Sequence, residues 1–398
     1  MTTEEFRLET RGWLEENCPQ SMRCRMVSGE EVNGGRKKPS TNPDAYLWLE
    51  RMAEKGWTVP TWPKEYGGAA LDKIQFLILL EELSKIEARP PLTGMGVSMI
   101  GPTLIEYGTD AQKQKHLPEI ARGAVAWCQG YSEPGAGSDL ASLSTRAELQ
   151  GDHYRVNGSK IWTSGAQHAD WIFCLVRTDT SVPKHEGISF LLFPMDSPGV
   201  TTSPIRLISG DSPFCQTFFD DVQVPREDLI GEPGRGWSIA KRLLQHERSG
   251  LAQLASADTA GPLERIKAEL PLPELAMRYL GSTRITDLSL RDDITRVQMR
   301  LRELSLTQRR TVAESENETP GAATSILKYV EAEAVKDQLE TQLKIRGTQA
   351  LGWEGVEFTD AEIMKCRLWL EAKAISIAGG SNEVQLNIIA KRVLGLPD

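Results

Sequence analysis

Long apolar runs, paired cysteines and basic clusters are all missing from this 398-residue chain. No apolar stretch reaches the ~20 residues that a membrane-spanning helix needs. None of the six cysteines forms a C-x-x-C pair, a scattering typical of reduced thiols and not of a disulfide framework or a zinc site. The five histidines show no metal-ligand spacing. The sequence therefore predicts neither a membrane span nor a metal site.

Positive charge is also scarce, since 46 Lys and Arg residues face 55 Asp and Glu residues and the formal net charge is −9. Without a long basic run, this balance argues against a nucleic-acid-binding protein. The first residues, MTTEEFRLETRGWLEENCP, are acidic and amphipathic, unlike a signal peptide. We expect a cytoplasmic protein, and its length predicts two or three domains.

The first 125 residues have the apolar spacing of helices. One such stretch is DKIQFLILLEELSKIE at 72–87, where the spacing predicts a core-facing stripe. The residues of that stripe are Ile74, Leu77, Leu80 and Leu83.

Strand-like segments replace the helical pattern after residue 126. The strands are predicted in DWIFCLVRT, GISFLLFPM, GVTTSPIRLI and CQTFFDDVQV. Gly151-Asp152 and Asn157-Gly158 break the stretch before them, and Asn-Gly between strands is a strong hairpin signal. Helical spacing returns from residue 237. The sequence thus predicts an α+β protein with domains at 1–125, 126–236 and 237–398.

A glycine- and serine-rich loop, WCQGYSEPGAGSD, opens the predicted β-domain at 127–139. Gly130, Gly135 and Gly137 alternate there with Ser132 and Ser138. Such a loop can bring backbone N–H groups and hydroxyls onto a pyrophosphate or a planar polar ring. An ordinary glycine-rich loop is the alternative. Because strands follow it, it is not the strand-to-helix dinucleotide fingerprint.

A second candidate is KIWTSG, where Trp162 precedes Thr163 and Ser164. An aromatic face beside two hydroxyls suits stacking on, and hydrogen bonding to, a heteroaromatic cofactor. The alternative is an ordinary core tryptophan.

A third candidate is the double glycine of SIAGGSNEVQ near the end of the chain. Gly379 and Gly380 lead into Ser381 and Asn382, after which an apolar-periodic helix follows. This arrangement is typical of backbone that approaches another group closely at a helix N-terminus.

Several ordered motifs together resemble those of the acyl-CoA dehydrogenase family. They are WPKEYGG at 62–68, YGTDAQKQKHLP at 107–118, YSEPGAGSD at 131–139, NGSKIWTSG at 157–165, FFDDVQVP at 218–225 and IAGGSNEVQ at 377–385. The resemblance implies an N-terminal helical domain, a middle β-barrel and a C-terminal four-helix bundle. It also implies FAD as cofactor, oxidation of an acyl-CoA to its trans-2-enoyl form, and an electron-transfer flavoprotein as electron acceptor.

The same resemblance implies which residues bind the cofactor and the substrate. Ser132 would meet the flavin pyrimidine edge, Ser138 a phosphate, and Trp162 one flavin face. The implied cofactor-binding residues are Gln129, Tyr131, Ser132, Gly137, Ser138, Trp162, Thr163, Ser164, Ser381, Asn382 and Glu383, with Arg346 and Gly347 from a looser match. The implied substrate-binding residues are Ser138, Arg248, Gly379 and Gly380.

The chemistry needs a base for a weakly acidic α-proton. Many family members carry a glutamate where this chain has Gly379, whose backbone N–H would instead polarise the thioester carbonyl. Others carry it before an arginine on the first helix of the C-terminal domain, and here Glu247 precedes Arg248. An apolar stripe surrounds Glu247, so partial burial would raise its pKa toward that of a general base. The stripe consists of Trp237, Ala240, Leu243, Leu244, Leu251 and Leu254.

We therefore predict Glu247 as the base and Arg248 as a positioning residue. One alternative is a structural ion pair at Glu247, and another is Glu383 as the base. Glu133 is expected to brace its loop.

One family feature is missing, the R-x-x-F-G segment whose arginine reaches the FAD of a neighbouring subunit. This departure resembles the bacterial subgroup with pimeloyl-CoA dehydrogenase large subunits and steroid-degrading enzymes, which often pair with a second subunit. The chain is expected to form a homo-oligomer or such a heteromer. A flavin oxidase or monooxygenase, and a non-catalytic subunit, are the competing functions.

The acyl group stays open between straight-chain, branched, dicarboxylic and steroid types. Gly94, Gly96 and Gly101 either leave room for a bulky acyl group or allow tight helix packing.

Overall fold

The computed structural model of the protein describes residues 2–24, 30–37, 40, 42–248, 270–314 and 324–397. For 245–248, 308–309, 311–314 and 324 it describes the backbone only. The described residues form two compact units. The first comprises the residues up to 205 together with 212–248, and the second comprises 206–211 and the residues from 270 onward.

In the first unit, helices both precede and follow the sheet along the chain. They are α1 Thr3–Asn17, α2 Pro43–Glu54, α3 Lys73–Lys85, α4 Gly101–Tyr107 and α5 Asp110–Ala121 before the sheet, and α6 Gly236–Arg248 after it. Helices α1, α3 and α5 each begin with a capping box, at Thr2, Asp72 and Thr109. In a capping box, two backbone N–H groups that lack helical partners are satisfied reciprocally, which determines where these helices begin.

The face that α3 buries differs from the predicted stripe. Ile74 is 59% exposed and Leu77 is 39% exposed. Glu82 is buried instead, because Arg7 and Arg11 of α1 bind its carboxylate at 2.9 and 2.8 Å. Residues 76–80 are all apolar, so spacing alone does not single out one face there. The buried residues of α3 are Phe76, Ile78, Leu79 and Glu82.

A seven-stranded sheet forms the rest of the first unit. Its strands are β1 Trp127–Gly130, β2 Arg146–Gln150, β3 His153–Ser164, β4 Trp171–Arg177, β5 Ile188–Pro194, β6 Val200–Ile205 and β7 Phe214–Pro225. Their order is β1-β4-β2-β3-β7-β6, and β5 pairs with β4. Strands β4 and β5 are buried along nearly their whole length. They therefore separate a core shared with the helices from a second core within the sheet.

Only one of the two predicted turns is a hairpin. Gly151 and Asp152 connect β2 to β3, with Gln150 opposite His153. Asn157 and Gly158 instead lie inside β3, where the register to β7 shifts. The strand continues because the Asn157 amide donates to Asp221 Oδ1 and its Oδ1 accepts from the Asp221 N–H, both at 2.9 Å. Asn-Gly here marks a β-bulge, and the hairpin prediction at this position is wrong.

Helices make up the second unit. They are α7 Leu272–Leu280, α8 Leu288–Glu314, α9 Thr324–Arg346, α10 Asp360–Glu371 and α11 Asn382–Ile388. A core of their own holds α8, α9 and α10 together, formed by Leu304, Val335, Leu339, Leu368 and Ala372. The predicted fold class, with helices, then a sheet, then helices, is confirmed, while the three domain boundaries stay predictions.

No helix in the described part of the chain is both long enough and apolar enough to cross a membrane.

Candidate active site

The loop after β1 is a tight turn with an open tip. Glu133 and Ala136 exchange both backbone hydrogen bonds at 3.0 Å, so the chain reverses at Pro134 and Gly135. Beyond the turn, Gly137 and Ser138 are exposed, and a Cβ added at Gly137 would meet nothing within 4 Å. The backbone at the tip is therefore free to approach a ligand.

Tyr131, in contrast, is a core residue. It is buried, with its ring edge-on to Phe173 and Phe190 at 6.0 and 6.3 Å. Its predicted contact with the cofactor stays a prediction, and its position anchors the start of the loop.

A buried ion pair connects the loop to β3. The Lys160 ammonium is fully buried and donates to Glu133 Oε1 at 2.8 Å and to the Tyr131 carbonyl at 3.1 Å. Glu133 also accepts three hydrogen bonds from Ser144 and Thr145, at 2.7–2.9 Å. Burial alone would raise the pKa of Glu133, yet the Lys160 charge and these hydrogen bonds lower it to about 2. The expectation that Glu133 braces its loop agrees with this geometry.

Trp162 is displayed by a second β-bulge in β3. The register to β7 shifts between Lys160 and Thr163, and Trp162 has φ of +61°. Residues two apart in a regular strand lie on the same face, so the bulge lets Lys160 be buried while Trp162 is 52% exposed. A backbone N–H at Ile161 donates to the Ser132 carbonyl at 2.8 Å, which brings the loop beside this bulge.

Near this bulge and loop, Thr163 Oγ1 and Gln129 Nε2 lack hydrogen-bond partners in the described part of the chain. Both atoms are buried, and Thr163 is buried as a whole. A buried hydroxyl or amide without a partner is costly, so both atoms suit hydrogen bonds to a bound molecule. Ser164, half-buried, ends β3 beside them.

These features fit a flavin. Trp162 offers an exposed aromatic face, Thr163 and Gln129 offer unsatisfied polar atoms, and the loop tip at Gly137 and Ser138 offers open backbone. The residues predicted from the loop and from KIWTSG are thus brought together by the fold.

The predicted base lies on α6. Ile239, Ala240 and Leu243 of this helix are buried in the core that the helices share with the sheet. Glu247 is seven residues after Ala240, so its Cα lies on the same, buried side of the helix. The side chains of Glu247 and Arg248 lie outside the described residues, as do Leu251 and Leu254 of the predicted stripe.

Of the glycines in the 90–102 segment, Gly96 and Gly101 serve packing. A Cβ added at Gly101 would lie 2.1 Å from the Trp62 ring, and one at Gly96 would lie 3.2 Å from Ile120. Of the two alternatives left open for these glycines, the structure supports tight packing here.

The remaining predicted residues lie in the second unit. Gly379 and Gly380 have φ of +66° and +94°, and an added Cβ at Gly379 would meet nothing within 4 Å. Ser381 caps α11 by accepting from the Val384 N–H at 3.3 Å. Gly379 is exposed, and the role predicted for its N–H stays a prediction.

Asn382 and Glu383 are used differently from each other. The Asn382 amide is buried and donates to Glu333 Oε1 at 2.7 Å, while its oxygen accepts from Lys328 at 3.1 Å. Asn382 therefore ties α11 to α9. Glu383 is exposed, and hydrogen bonds from its own backbone and from Ser381 lower its pKa.

Arg346 is buried at the end of α9. Its guanidinium donates to the Gln342 carbonyl at 3.0 Å and lies 5.4 Å from the centre of the Tyr279 ring. Burial lowers its pKa. Gly347 follows with φ of +58°. Their predicted cofactor contacts stay predictions.

Lys160 is the residue that the sequence analysis missed. A lysine within a strand normally reads as solvent-facing. The signal that could have found it is its position two residues before Trp162. In a regular strand these two side chains would lie on the same face, so they would be buried or exposed together. Because of the bulge, Lys160 is buried while Trp162 is exposed.

Family comparisons match all three parts of the chain. The N-terminal domain of acyl-CoA dehydrogenase matches residues 2–124, the middle domain 128–222 and the C-terminal domain 234–394.

Individual relatives match nearly the whole chain. Acyl-CoA dehydrogenase IpdE1 of Mycobacterium tuberculosis is 36% identical over 395 residues, covering 99% of this chain and 98% of the relative. The Tcur3481-Tcur3483 steroid ACAD is 31% identical with a TM-score of 0.76, covering 99% of this chain and 97% of that one. The ChsE4-ChsE5 complex from Mycobacterium tuberculosis is 29% identical with a TM-score of 0.74, covering 100% and 98%. The chain therefore belongs to the acyl-CoA dehydrogenase family, whose members are FAD-dependent oxidoreductases acting on CH–CH groups.

Proposed function

We propose that this protein oxidises an acyl-CoA thioester to the trans-2-enoyl thioester, with Glu247 as the base. The observation that supports it most is Trp162, whose indole is exposed from a strained bulge beside two buried polar atoms without partners. A large aromatic surface left open at such a point is typical of a binding face.

The chain's own residues have distinct tasks in this reaction. The Glu247 carboxylate takes the proton from the substrate α-carbon, and Arg248 holds the site in position. The chemistry that FAD would supply when bound is that of a hydride acceptor for the β-hydrogen of the substrate. Gln129, Thr163 and the 131–138 loop would hold that cofactor.

Two further residues are proposed to assist this reaction. Trp162 would cover one face of the flavin and exclude water from it. The predicted hydrogen bond from the Gly379 N–H to the thioester carbonyl would stabilise the developing enolate.

Glu383 is the rival base, and its environment is unfavourable for that role. It is exposed, and its own backbone and Ser381 lower its pKa. A lower pKa makes a carboxylate a weaker base. Position and chemistry both favour Glu247, whose Cα lies on the buried side of α6.

We also propose a ring-bearing acyl group, a steroid acyl-CoA, as the substrate class and a second acyl-CoA dehydrogenase-like subunit as partner. The support is similarity to a steroid ACAD and to a complex of two different chains, both over nearly full length. The missing R-x-x-F-G segment agrees with a partner that supplies the phosphate contact. An electron-transfer flavoprotein is the proposed electron acceptor.

The test is anaerobic flavin bleaching by straight-chain, branched, dicarboxylic and steroid acyl-CoAs. We expect bleaching with the steroid thioester, and a loss of about 10²–10⁴-fold in its rate for Glu247→Gln. Glu383→Gln is the matched control and should keep the wild-type rate within a few-fold.

Three results would contradict parts of the proposal. Wild-type bleaching in Glu247→Gln rejects the base assignment. Full FAD occupancy and turnover of the chain alone rejects the obligatory partner. Peroxide formation with oxygen as the preferred acceptor supports a flavin oxidase instead.

A further inference from the structure

Three segments of the first unit converge on one buried carboxylate. Glu133 Oε1 accepts from Lys160 and from the Thr145 N–H, and Oε2 accepts from the N–H and hydroxyl of Ser144. Its partners therefore come from β3 and from the chain entering β2, while Glu133 itself belongs to the loop. We name this set, Glu133, Lys160, Ser144 and Thr145, the carboxylate clasp.

The clasp adjoins the residues that are proposed to bind the flavin. Lys160 also binds the Tyr131 carbonyl, and Ile161 donates to the Ser132 carbonyl, so the loop is fixed to β3 on both sides of Glu133. Trp162 follows Ile161 immediately. The same few residues thus set both the loop and the bulge that displays the indole.

A buried ion pair is an inefficient way to gain stability. The desolvation of both charges offsets much of their attraction, and apolar pairs of similar size are often as stable. What the pair supplies in addition is direction, because a carboxylate with four hydrogen bonds admits few loop conformations.

We infer that the carboxylate clasp is a positioning device, which holds the 131–138 loop and the Trp162 bulge in the arrangement that receives the flavin. This inference rests on the proposed function for the identity of the ligand. Lys160 and Glu133 act on the cofactor through the loop and the bulge and do not touch it.

The clasp predicts different results for single and paired substitutions. Lys160→Met leaves Glu133 buried without its cation, and should destabilise the fold as well as loosen the loop. The double variant Glu133→Gln with Lys160→Met removes both charges, so its melting temperature should stay close to that of the wild type. Its loop should nevertheless lose its fixed conformation.

Amide hydrogen exchange of the apoprotein measures that conformation without substrate or turnover. We expect the amides of Glu133, Ala136, Ser144, Thr145 and Ile161 to exchange at least tenfold faster in the double variant. FAD affinity should fall at least tenfold, and the visible circular dichroism of the bound flavin should change. Lys160→Arg keeps the charge. It should therefore lose less FAD affinity, and change the circular dichroism of the bound flavin less, than the double variant.

Glu82→Gln is the matched control, because Glu82 is an equally buried carboxylate held by cations, at α1 and α3, away from the loop. It should leave loop exchange and FAD affinity unchanged. If the double variant folds with wild-type loop exchange and wild-type FAD affinity, the inference is wrong.

Failure of the proposed function gives a different result. If none of the acyl-CoAs bleaches the wild type, or if the wild type holds no FAD, the exchange measurement still tests whether the clasp fixes the loop. Faster loop exchange with unchanged FAD affinity would also overturn the inference, since the loop would then be ordered for another purpose.

Discussion

Trp162 shows how a single residue is shaped by its neighbours. It is one of four non-glycine residues in the described part of the chain with positive φ, together with Ala70, Glu87 and Asp221. Such a conformation costs roughly 1–3 kcal/mol and persists only where the surroundings determine it. Here the buried side chains of Lys160 and Thr163 hold both sides of the bulge. Strain at this position is consistent with a binding role.

Thr163 offers a residue-scale test of the site. Because its buried hydroxyl has no partner, Thr163→Val should stabilise the apoprotein by about 1 kcal/mol. The same change should weaken FAD binding about tenfold, since the hydroxyl is proposed to bond the flavin. Calorimetric unfolding of the apoprotein and FAD titration measure the two effects.

Thr217 is the matched control, a fully buried threonine of β7 opposite Lys160 whose hydroxyl also lacks a partner in the described residues. Thr217→Val should stabilise the apoprotein similarly and leave FAD affinity unchanged. Equal losses of affinity in both variants would contradict the role given to Thr163.

At the scale of elements, strand β3 carries two bulges and one hairpin turn within a short stretch of sequence. Gly151 lies in the turn with φ of +66° and open space around it. Gly158 lies in the first bulge with φ of +144°, and an added Cβ would approach Thr145 to 2.7 Å. Two glycines with similar sequence signals thus have different physical requirements.

Alanine substitution should separate these two requirements. Gly158→Ala combines backbone strain with a steric clash and should lower the free energy of unfolding by about 3 kcal/mol. Gly151→Ala keeps only the left-handed strain and should cost about 1 kcal/mol. Urea unfolding of both variants measures the difference, and equal losses would show that β3 is not bulged as described.

At the scale of the whole molecule, His116 connects a helix to the sheet. It lies on α5, with its ring edge-on to Trp127 of β1 at 5.3 Å and to Trp171 of β4 at 4.7 Å. Burial, with a smaller effect of Lys115, lowers its pKa to about 4. The folded protein therefore keeps this ring neutral, while the unfolded chain binds a proton near pH 6.5.

This difference predicts acid sensitivity above the range in which carboxylates titrate. The contribution of His116 is fully present above pH 6.5 and is lost as the pH falls toward 4, about 2 kcal/mol of it between pH 7 and pH 5. His116→Phe keeps the aromatic packing and should remove that slope from urea unfolding at the two pH values. His168→Gln, at an exposed histidine, should retain the slope. A wild-type slope in His116→Phe would contradict the prediction.

The predictable part of the fold came from local signals. The helical spacing of the first 125 residues corresponds to α1 to α5, and the four strands predicted between residues 170 and 224 are present as β4 to β7. The buried face of α3 was not predictable, because it depends on Arg7 and Arg11 of another helix. Hydrophobic spacing decides a face only when polar residues interrupt it.

The candidate site divides in the same way. The sequence predicts a cofactor-binding role for Trp162, Thr163 and the 131–138 loop, because the polar and aromatic groups concerned lie in consecutive residues. The role of Lys160 could not be predicted, because its burial depends on a bulge and on Glu133, 27 residues earlier. Likewise the misassigned Asn157-Gly158 turn depends on Asp221, which is distant in the chain.

The sequence by itself determined the order of helices and sheet, the family, and the residue types available for flavin and thioester chemistry. Only the tertiary structure decided which side chains are buried, where β3 bulges, and how the loop is fastened beside Trp162. The physical reason is the distance along the chain between the interacting residues. Caps, turns and periodicity are interactions between residues a few positions apart, whereas ion pairs and register shifts bring together residues that the sequence places far from each other.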